Sequence, residues 1–207
     1  MRKAPNRAVF LDRDGVLIED SGSLVRRPDQ LRIIPGVPTA LADVRALGFL
    51  TVVVTNQTVV ARGMVTEREL GQLHTRLQEK LRQREEAARI DAFYVCPHHP
   101  NADLPAYRMN CACRKPKPGM LLRAERDLDL DLSRSIMVGD RPSDIAAGQF
   151  AGCRTVLVES GRHADPPIES GLAYDPSRLR IDLRVSALAE LAAMIPALFE
   201  NSAGSAR

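Results

Sequence analysis

Short apolar runs alternate with helical patterns along this chain, and that alternation restricts its fold more than any other feature. The runs cover residues 8–11, 49–54, 92–95, 135–139 and 154–158. The run at 49–54, Phe-Leu-Thr-Val-Val-Val, is dense in β-branched residues, which suit a buried, pleated surface. Helical patterns fall between the runs. One spans 40–47 and stops at Gly48. Another opens at Thr66, with Glu69 placed to complete a capping box, and extends to about residue 88. Others cover 119–127 and 143–151, and the weakly charged stretch 185–199 reads as a terminal helix facing the core. Strands separated by helices point to an α/β fold with a mainly parallel sheet. Residues 96–118 break the pattern, because five prolines and three cysteines exclude a regular element there.

The 207 residues suit a single domain over 1–207, with a core at about 8–200 and loose ends at 1–7 and 201–207. Basic residues number 29 and acidic residues 26, a net charge of +3. That excess is too small to make nucleic acid or a membrane surface the partner. Aromatics are 4% with no Trp, too few for a base-stacking platform. Behind the basic start MRKAPNR, the apolar run stops at Asp12, too short for a signal peptide. The 185–199 stretch contains Glu190 and a proline and is shorter than a bilayer span. The expected location is the cytoplasm.

The first run ends in FLDRDGV. In an extended chain residues i and i+2 point the same way, so Asp12 and Asp14 converge while Arg13 turns aside. Gly15 permits the sharp turn that follows. Ligands of open α/β sheets bind at the carboxyl ends of strands, where this pair sits. Two such carboxylates repel unless a cation lies nearby, and Mg²⁺ suits hard oxygen ligands. A lone D-x-D equally fits an acidic loop without chemistry. The other strand ends add weight to a site. The second run leads into Thr55-Asn56-Gln57, which can donate to a phosphate. A later run ends in Gly139-Asp140, followed by Arg141 and Asp144, and Arg114-Lys115-Pro116 offers fixed positive charge. No P-loop, G-x-G-x-x-G, G-x-S-x-G or H-E-x-x-H occurs, so the common rival α/β enzymes lack support.

Cys96 and His98 are followed, after a 12-residue gap, by Cys111 and Cys113. Two short-spaced pairs of sulfur and imidazole ligands suit tetrahedral Zn²⁺. Four protein ligands leave no open position, so the site reads as structural. Incidental surface thiols are the competing reading, and His99 competes with His98. Cys153 stands apart and reads as a small buried hydrophobe. His74, on the amphipathic helix, and His163, in a loop, read as surface residues.

The ordered set DRDGV, TNQ, RKPKPGM and GDRPSD resembles the haloacid dehalogenase-like phosphatases over roughly residues 8–160. Within them, CPHHP and CACRKPKPGM resemble the subgroup that holds heptose-bisphosphate and histidinol-phosphate phosphatases. The resemblance implies a Rossmann-like three-layer sandwich. It makes Asp12 the nucleophile, forming an aspartyl-phosphate, and Asp14 the acid and then the base. It places Mg²⁺ among Asp12, the Asp14 carbonyl and Asp140, with Asp144 buttressing that shell. Thr55 and Asn56, with Gln57 beside them, would hold phosphoryl oxygens. Lys115 would neutralise charge and Arg114 would contact substrate. Arg141 stands where close relatives often carry Lys. The same resemblance supports Cys96, His98, Cys111 and Cys113 as the zinc ligands.

Only about 20 residues separate Gly15 from the Pro35-Gly36 turn, and the second usual insertion region holds the zinc loop, 96–113. Neither has room for a folded cap, which needs at least about 50 residues. Selection would then fall to loops around Asp20, Arg62 and the zinc site. Ser23, Val16 and Thr58-Val59-Val60 depart from the close heptose-bisphosphate pattern, while Arg62 and Gly63 match it. The implied reaction removes the C7 phosphate of D-glycero-D-manno-heptose 1,7-bisphosphate. Histidinol phosphate or another small sugar phosphate is the alternative substrate. A catalytically silent, zinc-stabilised binding module is the alternative of a different class, opposed by the intact Asp12, Asp14, Lys115 and Asp140 set. The expected partner is a small phosphorylated sugar, and the expected state a monomer.

Overall fold

Residues that alternate between two buried faces need a sheet covered on both sides, and each apolar run supplies one strand of it. The structure, a computed structural model, describes residues 4–22, 24–159 and 175–200. Strands β1 (Ala8–Leu11), β2 (Leu50–Asn56), β3 (Ala92–Cys96), β4 (Ile136–Gly139) and β5 (Arg154–Val158) follow the five runs. A sixth, β6 (Leu183–Val185), has three residues, too few for a periodicity to show in the sequence. All neighbours pair in parallel, in the order β3-β2-β1-β4-β5-β6.

The helices are α1 (Val37–Ala46), α2 (Thr58–Ala61), α3 (Glu67–Arg84), α4 (Gly119–Leu128), α5 (Pro142–Ala151) and α6 (Leu191–Glu200). The expected capping box opens α3: the Glu69 N–H donates to Thr66 Oγ1 at 3.2 Å, and the Thr66 N–H donates to Glu69 Oε2 at 2.7 Å. The helix ends before residue 88 because Glu85 turns to extended backbone. The reading of 185–199 as one helix is corrected. Val185 closes β6, a 3₁₀ turn occupies Leu188–Glu190, and only then does α6 begin.

Alternation sorts the strand residues. Val9, Leu11, Val53 and Val138 pack beneath α1, α3 and α6. Ala8, Phe10, Val52 and Met137 pack beneath α4 and α5. Three further readings are affected. His74 is buried at 6% exposure, not at the surface, because it shares the inward stripe of α3 with Leu70, Leu73, Leu77 and Leu81. Asn6 and Arg7 are not loose: the Asn6 N–H donates to the Asp129 carbonyl at 2.8 Å, and Arg7 lies over the Phe49 ring. Cys153 is buried, as expected. His163, Ser23 and the tail 201–207 lie outside the described residues.

Between β1 and α1, and between β3 and α4, the described residues form loops with one 3₁₀ turn each (Pro28–Gln30 and Pro105–Tyr107) and no cap. Among the described residues no helix is long and apolar enough to cross a membrane. From β1 the chain passes to β2 and β3 on one side and then returns on the other side as β4, so the crevice at the carboxyl ends of β1 and β4 is a topological switch point, the usual ligand site of such sheets.

Candidate active site

Asp12 and Asp140 leave the carboxyl ends of β1 and β4, which lie side by side. The Asp12 N–H donates to the Val138 carbonyl at 3.0 Å, extending the β1–β4 pairing to the site itself. Asp144, in the first turn of α5, completes a group of three buried carboxylates whose oxygens lie within 4.8 Å of one another. Gly15 takes a positive φ of 84°, and a Cβ there would meet Asp140 Oδ2 at 2.0 Å. Only glycine therefore lets the β1 loop pass so close to Asp140.

Lys115 enters this group from the zinc loop. Its Nζ lies 2.9 Å from Asp12 Oδ1 and 2.6 Å from Asp144 Oδ1, and it donates to the Val54 carbonyl at 2.8 Å. Burial works against its charge, but Asp12 and Asp144 outweigh burial and push its pKa up to about 12. Burial, with Asp144 alongside, raises the Asp12 carboxyl above its ordinary value against the pull of Lys115. Asn56 holds the lysine backbone on both sides: the Lys115 N–H donates to Asn56 Oδ1, and Asn56 Nδ2 donates to the Lys115 carbonyl, each at 3.1 Å.

Asp14 lines the same cleft as Asp12, but its carboxylate is gripped from behind. Arg13 Nη2 donates to both of its oxygens at 2.9 Å, and Gln57 Nε2 donates to Oδ2 at 2.7 Å. Arg13 is therefore not turned aside. It is 1% exposed and reaches His74 Nε2 at 3.5 Å with Nη1. Of the two arms, Arg13 is the sequence neighbour of Asp14 and Gln57 follows the far end of β2, so D-x-D spacing does not reveal the grip.

The remaining expected site residues divide. Arg114 lines the cleft, 4% exposed, and donates through Nη1 to the His98 carbonyl at 3.1 Å. Its buried Nε has no hydrogen-bond partner among the described residues. Arg141 and Asp20 both line the cleft and pair at 3.1 Å. Thr55 is buried behind the wall, where its hydroxyl accepts from Gln57 Nε2 at 2.8 Å. Arg62 is exposed at the end of α2 and is not among the cleft residues. Thr58, the start of an expected specificity loop, lines the cleft, and Ser143 does so without having been singled out by sequence.

The four expected zinc ligands also meet. Cys111 Sγ lies 3.4 Å from Cys96 Sγ and 3.1 Å from Cys113 Sγ. His98 Nδ1 lies 3.5 Å from Cys113 Sγ and 3.9 Å from Cys96 Sγ. His99 is engaged elsewhere, its Nδ1 accepting from the Asn101 N–H at 3.0 Å. Distances of this kind suit four ligands around one small soft-ligand cation.

Known proteins resemble the chain over most of its length. A family model described as HAD-hydrolase-like matches residues 112–186. The chain is 40% identical over 163 residues to the D-glycero-beta-D-manno-heptose-1,7-bisphosphate 7-phosphatase of Photorhabdus laumondii, covering 78% of this chain and 85% of that protein. It is 41% identical over 159 residues to the D-glycero-alpha-D-manno-heptose-1,7-bisphosphate 7-phosphatase of Burkholderia mallei, covering 77% and 82%. The crystal structure of D,D-heptose 1,7-bisphosphate phosphatase from B. bronchiseptica, complexed with magnesium and phosphate, superposes with a TM-score of 0.75 at 32% identity, over 92% of this chain and 98% of that one. Identity at this level across three quarters of its length means that the chain belongs to the heptose-1,7-bisphosphate phosphatase family of haloacid dehalogenase-like hydrolases.

Proposed function

We propose that this chain is a Mg²⁺-dependent phosphatase that removes the C7 phosphate of D-glycero-D-manno-heptose 1,7-bisphosphate. One observation carries the reading: Asp12, Lys115, Asp140 and Asp144 are packed together at the carboxyl ends of β1 and β4. The names of the relatives supply the substrate, and the magnesium and phosphate of the B. bronchiseptica neighbour support the cation.

Three buried carboxylates within 4.8 Å form a hard, negatively charged oxygen donor set, which fits Mg²⁺. Asp12 and Asp140, with the Asp14 carbonyl as the family resemblance implies, would hold it, and Asp144, whose oxygens accept from Lys115 and the Arg141 N–H, would buttress that shell. Bound there, Mg²⁺ neutralises negative charge on the carboxylates and on the phosphoryl oxygens.

In this reading an Asp12 oxygen attacks phosphorus, forming a P–O bond as the bond to the sugar oxygen breaks. Asp14 gives its proton to the departing alkoxide. It then takes a proton from the water that cleaves the aspartyl-phosphate, which releases phosphate and restores Asp12. Lys115 offsets the charge of Asp12 and of the incoming phosphate. Arg114 offers its Nε, which has no partner among the described residues, to an anionic group in the cleft. Asn56 fixes the segment that carries Lys115. The Cys96, His98, Cys111 and Cys113 cluster would bind Zn²⁺ as a structural ion and set the loop that leads into Arg114 and Lys115. The chain would act in the cytoplasm as a single-domain monomer.

Steady-state hydrolysis with Mg²⁺ tests the reading, using both anomers of the heptose 1,7-bisphosphate and histidinol phosphate. The expected outcome is the highest kcat/KM on one heptose anomer. A preference for histidinol phosphate, or no turnover of any of the three, overturns it.

A further inference from the structure

A buried histidine stands directly behind the acid and base of the proposed reaction. His74, on α3, is 6% exposed and stacks on Phe93 of β3, with ring centroids 4.6 Å apart and planes 11° apart. Its Nε2 lies 3.5 Å from Arg13 Nη1. An arginine can only donate, so Nε2 accepts and the imidazole proton sits on Nδ1. Burial first, and the Arg13 charge second, lower the His74 pKa to about 3, so the ring stays neutral and keeps that acceptor.

Arg13 is divided between two partners. Its Nε and Nη2 edge grips the Asp14 carboxylate, with distances of 3.2, 2.9 and 2.9 Å, while Nη1 points to His74. A buried guanidinium needs partners for its donors, and without one Nη1 would pull the group away from its present plane. Gln57 holds the other side of Asp14 and is itself anchored on Thr55. The Asp14 carboxylate is therefore fixed between two arms, one of which ends at a histidine that never touches the cleft residues' ligand space.

We propose that His74 is a positioning residue for the reaction: by accepting from Arg13 it sets the plane of the guanidinium, and through it the direction in which Asp14 presents its carboxyl to the leaving group. The assignment rests on the phosphatase reading and on Asp14 as its acid. It has a consequence that a packing role does not share. An alkyl phosphate needs a proton on its leaving oxygen, whereas 4-nitrophenyl phosphate leaves as a stabilised phenolate and hardly needs one. Misdirecting Asp14 then harms the first compound far more than the second, and kcat/KM isolates this step because it covers events only up to departure of the leaving group.

The test compares kcat/KM on the heptose 1,7-bisphosphate and on 4-nitrophenyl phosphate, for the unaltered chain, His74→Leu and His74→Gln. Leucine removes the acceptor, while the glutamine amide retains one. The expected result is a loss of about 10- to 100-fold on the heptose bisphosphate for His74→Leu, from a misplaced catalytic group. On 4-nitrophenyl phosphate the loss stays within about threefold, and His74→Gln recovers most of the difference. An unfolded fraction lowers both rates alike and leaves their ratio untouched, so the ratio is read even from an unstable variant. An unchanged ratio in His74→Leu overturns the proposal, as does a ratio that glutamine leaves as low as leucine does. An unaltered chain inert on both compounds overturns the phosphatase reading and this assignment together, and that result precedes any substitution.

Discussion

Asp12 and His74 illustrate how far the surroundings of a single residue decide its chemistry. The Asp12 carboxyl is raised by burial and by Asp144, and Lys115 opposes both at 2.9 Å. As the proposed nucleophile, it has no substitute in the cleft that combines an oxygen with that position. Asp12→Asn should lower kcat by about 10³-fold or more, as loss of a nucleophile does. The far-ultraviolet circular dichroism should be unchanged, and retained turnover would remove Asp12 from the role. His74 has a thermodynamic signature as well. Its pKa is about 3 in the fold and near 6.5 in an unfolded chain. Between those values the unfolded state binds a proton that the folded state refuses. The resulting stability is present above about pH 6.5 and is lost as pH falls toward 3, at about 1.4 kcal/mol per pH unit. Denaturant unfolding at pH 7 and pH 5 should therefore show a loss from this group of about 2 kcal/mol. His74→Gln, which cannot titrate, should lack that part of the loss, and an equal loss in the variant would count against the buried, neutral ring.

The element on which function depends most is the least regular one. Residues 97–118 contain a single 3₁₀ turn among the described residues, yet they deliver Arg114 and Lys115 to the cleft. Backbone turns hold parts of it, such as the His99 N–H donating to the Tyr107 carbonyl at 3.1 Å and the Lys117 N–H donating to the Arg114 carbonyl at 2.9 Å, and side chains tie these turns together. Cys96 at the end of β3 gathers His98, Cys111 and Cys113. The His98 carbonyl accepts from Arg114, and Lys117 Nζ donates to the Cys111 carbonyl at 3.1 Å. Tyr107 donates to Glu67 Oε1 at 2.9 Å, tying the loop to the start of α3. In the proposed zinc site, removing one ligand would leave three and loosen this arrangement while the sheet remains. Cys111→Ser should lose bound zinc, lower kcat/KM at least about tenfold through displaced cations, and speed amide exchange within 96–115 alone. A variant with no zinc and full activity would show that the loop holds its cations by other means.

At the scale of the whole molecule, six parallel strands bring the carboxyl ends of β1, β2 and β4 together, and the residues beyond those ends make a cleft that, among the described residues, has no cap over it. Apolar layers cover both faces of the sheet among the described residues, which supports the proposed single-domain monomer. Sedimentation at the mass of one chain, with a single thermal transition, is the expected outcome. A stable dimer, or two transitions, would contradict it. Much of this was legible beforehand. The β-branched run 49–54 and its four companions located five strands, because a strand buried on both faces reads as a continuous apolar run. Spacing likewise located Asp12, Asp140, Lys115 and the four-ligand cluster, because each falls at a strand end or in a short motif. The three residues of β6 and the single turn of α2 are shorter than any readable period. The inward stripe of α3 at 70, 73, 77 and 81 did carry a signal for burying His74, although a lone histidine on a charged helix conceals it. By itself, then, the sequence determined the class of sheet, the order of its elements and the chemical groups at its edge, since these follow from local periodicity and short spacing. Only the tertiary structure decided that Arg13 turns inward onto Asp14 and His74, that Thr55 lies behind the wall, and that Arg62 stays outside the cleft. Those outcomes depend on which side chains from distant segments meet in the interior, where an unpartnered charge costs most and each buried group must find its partner.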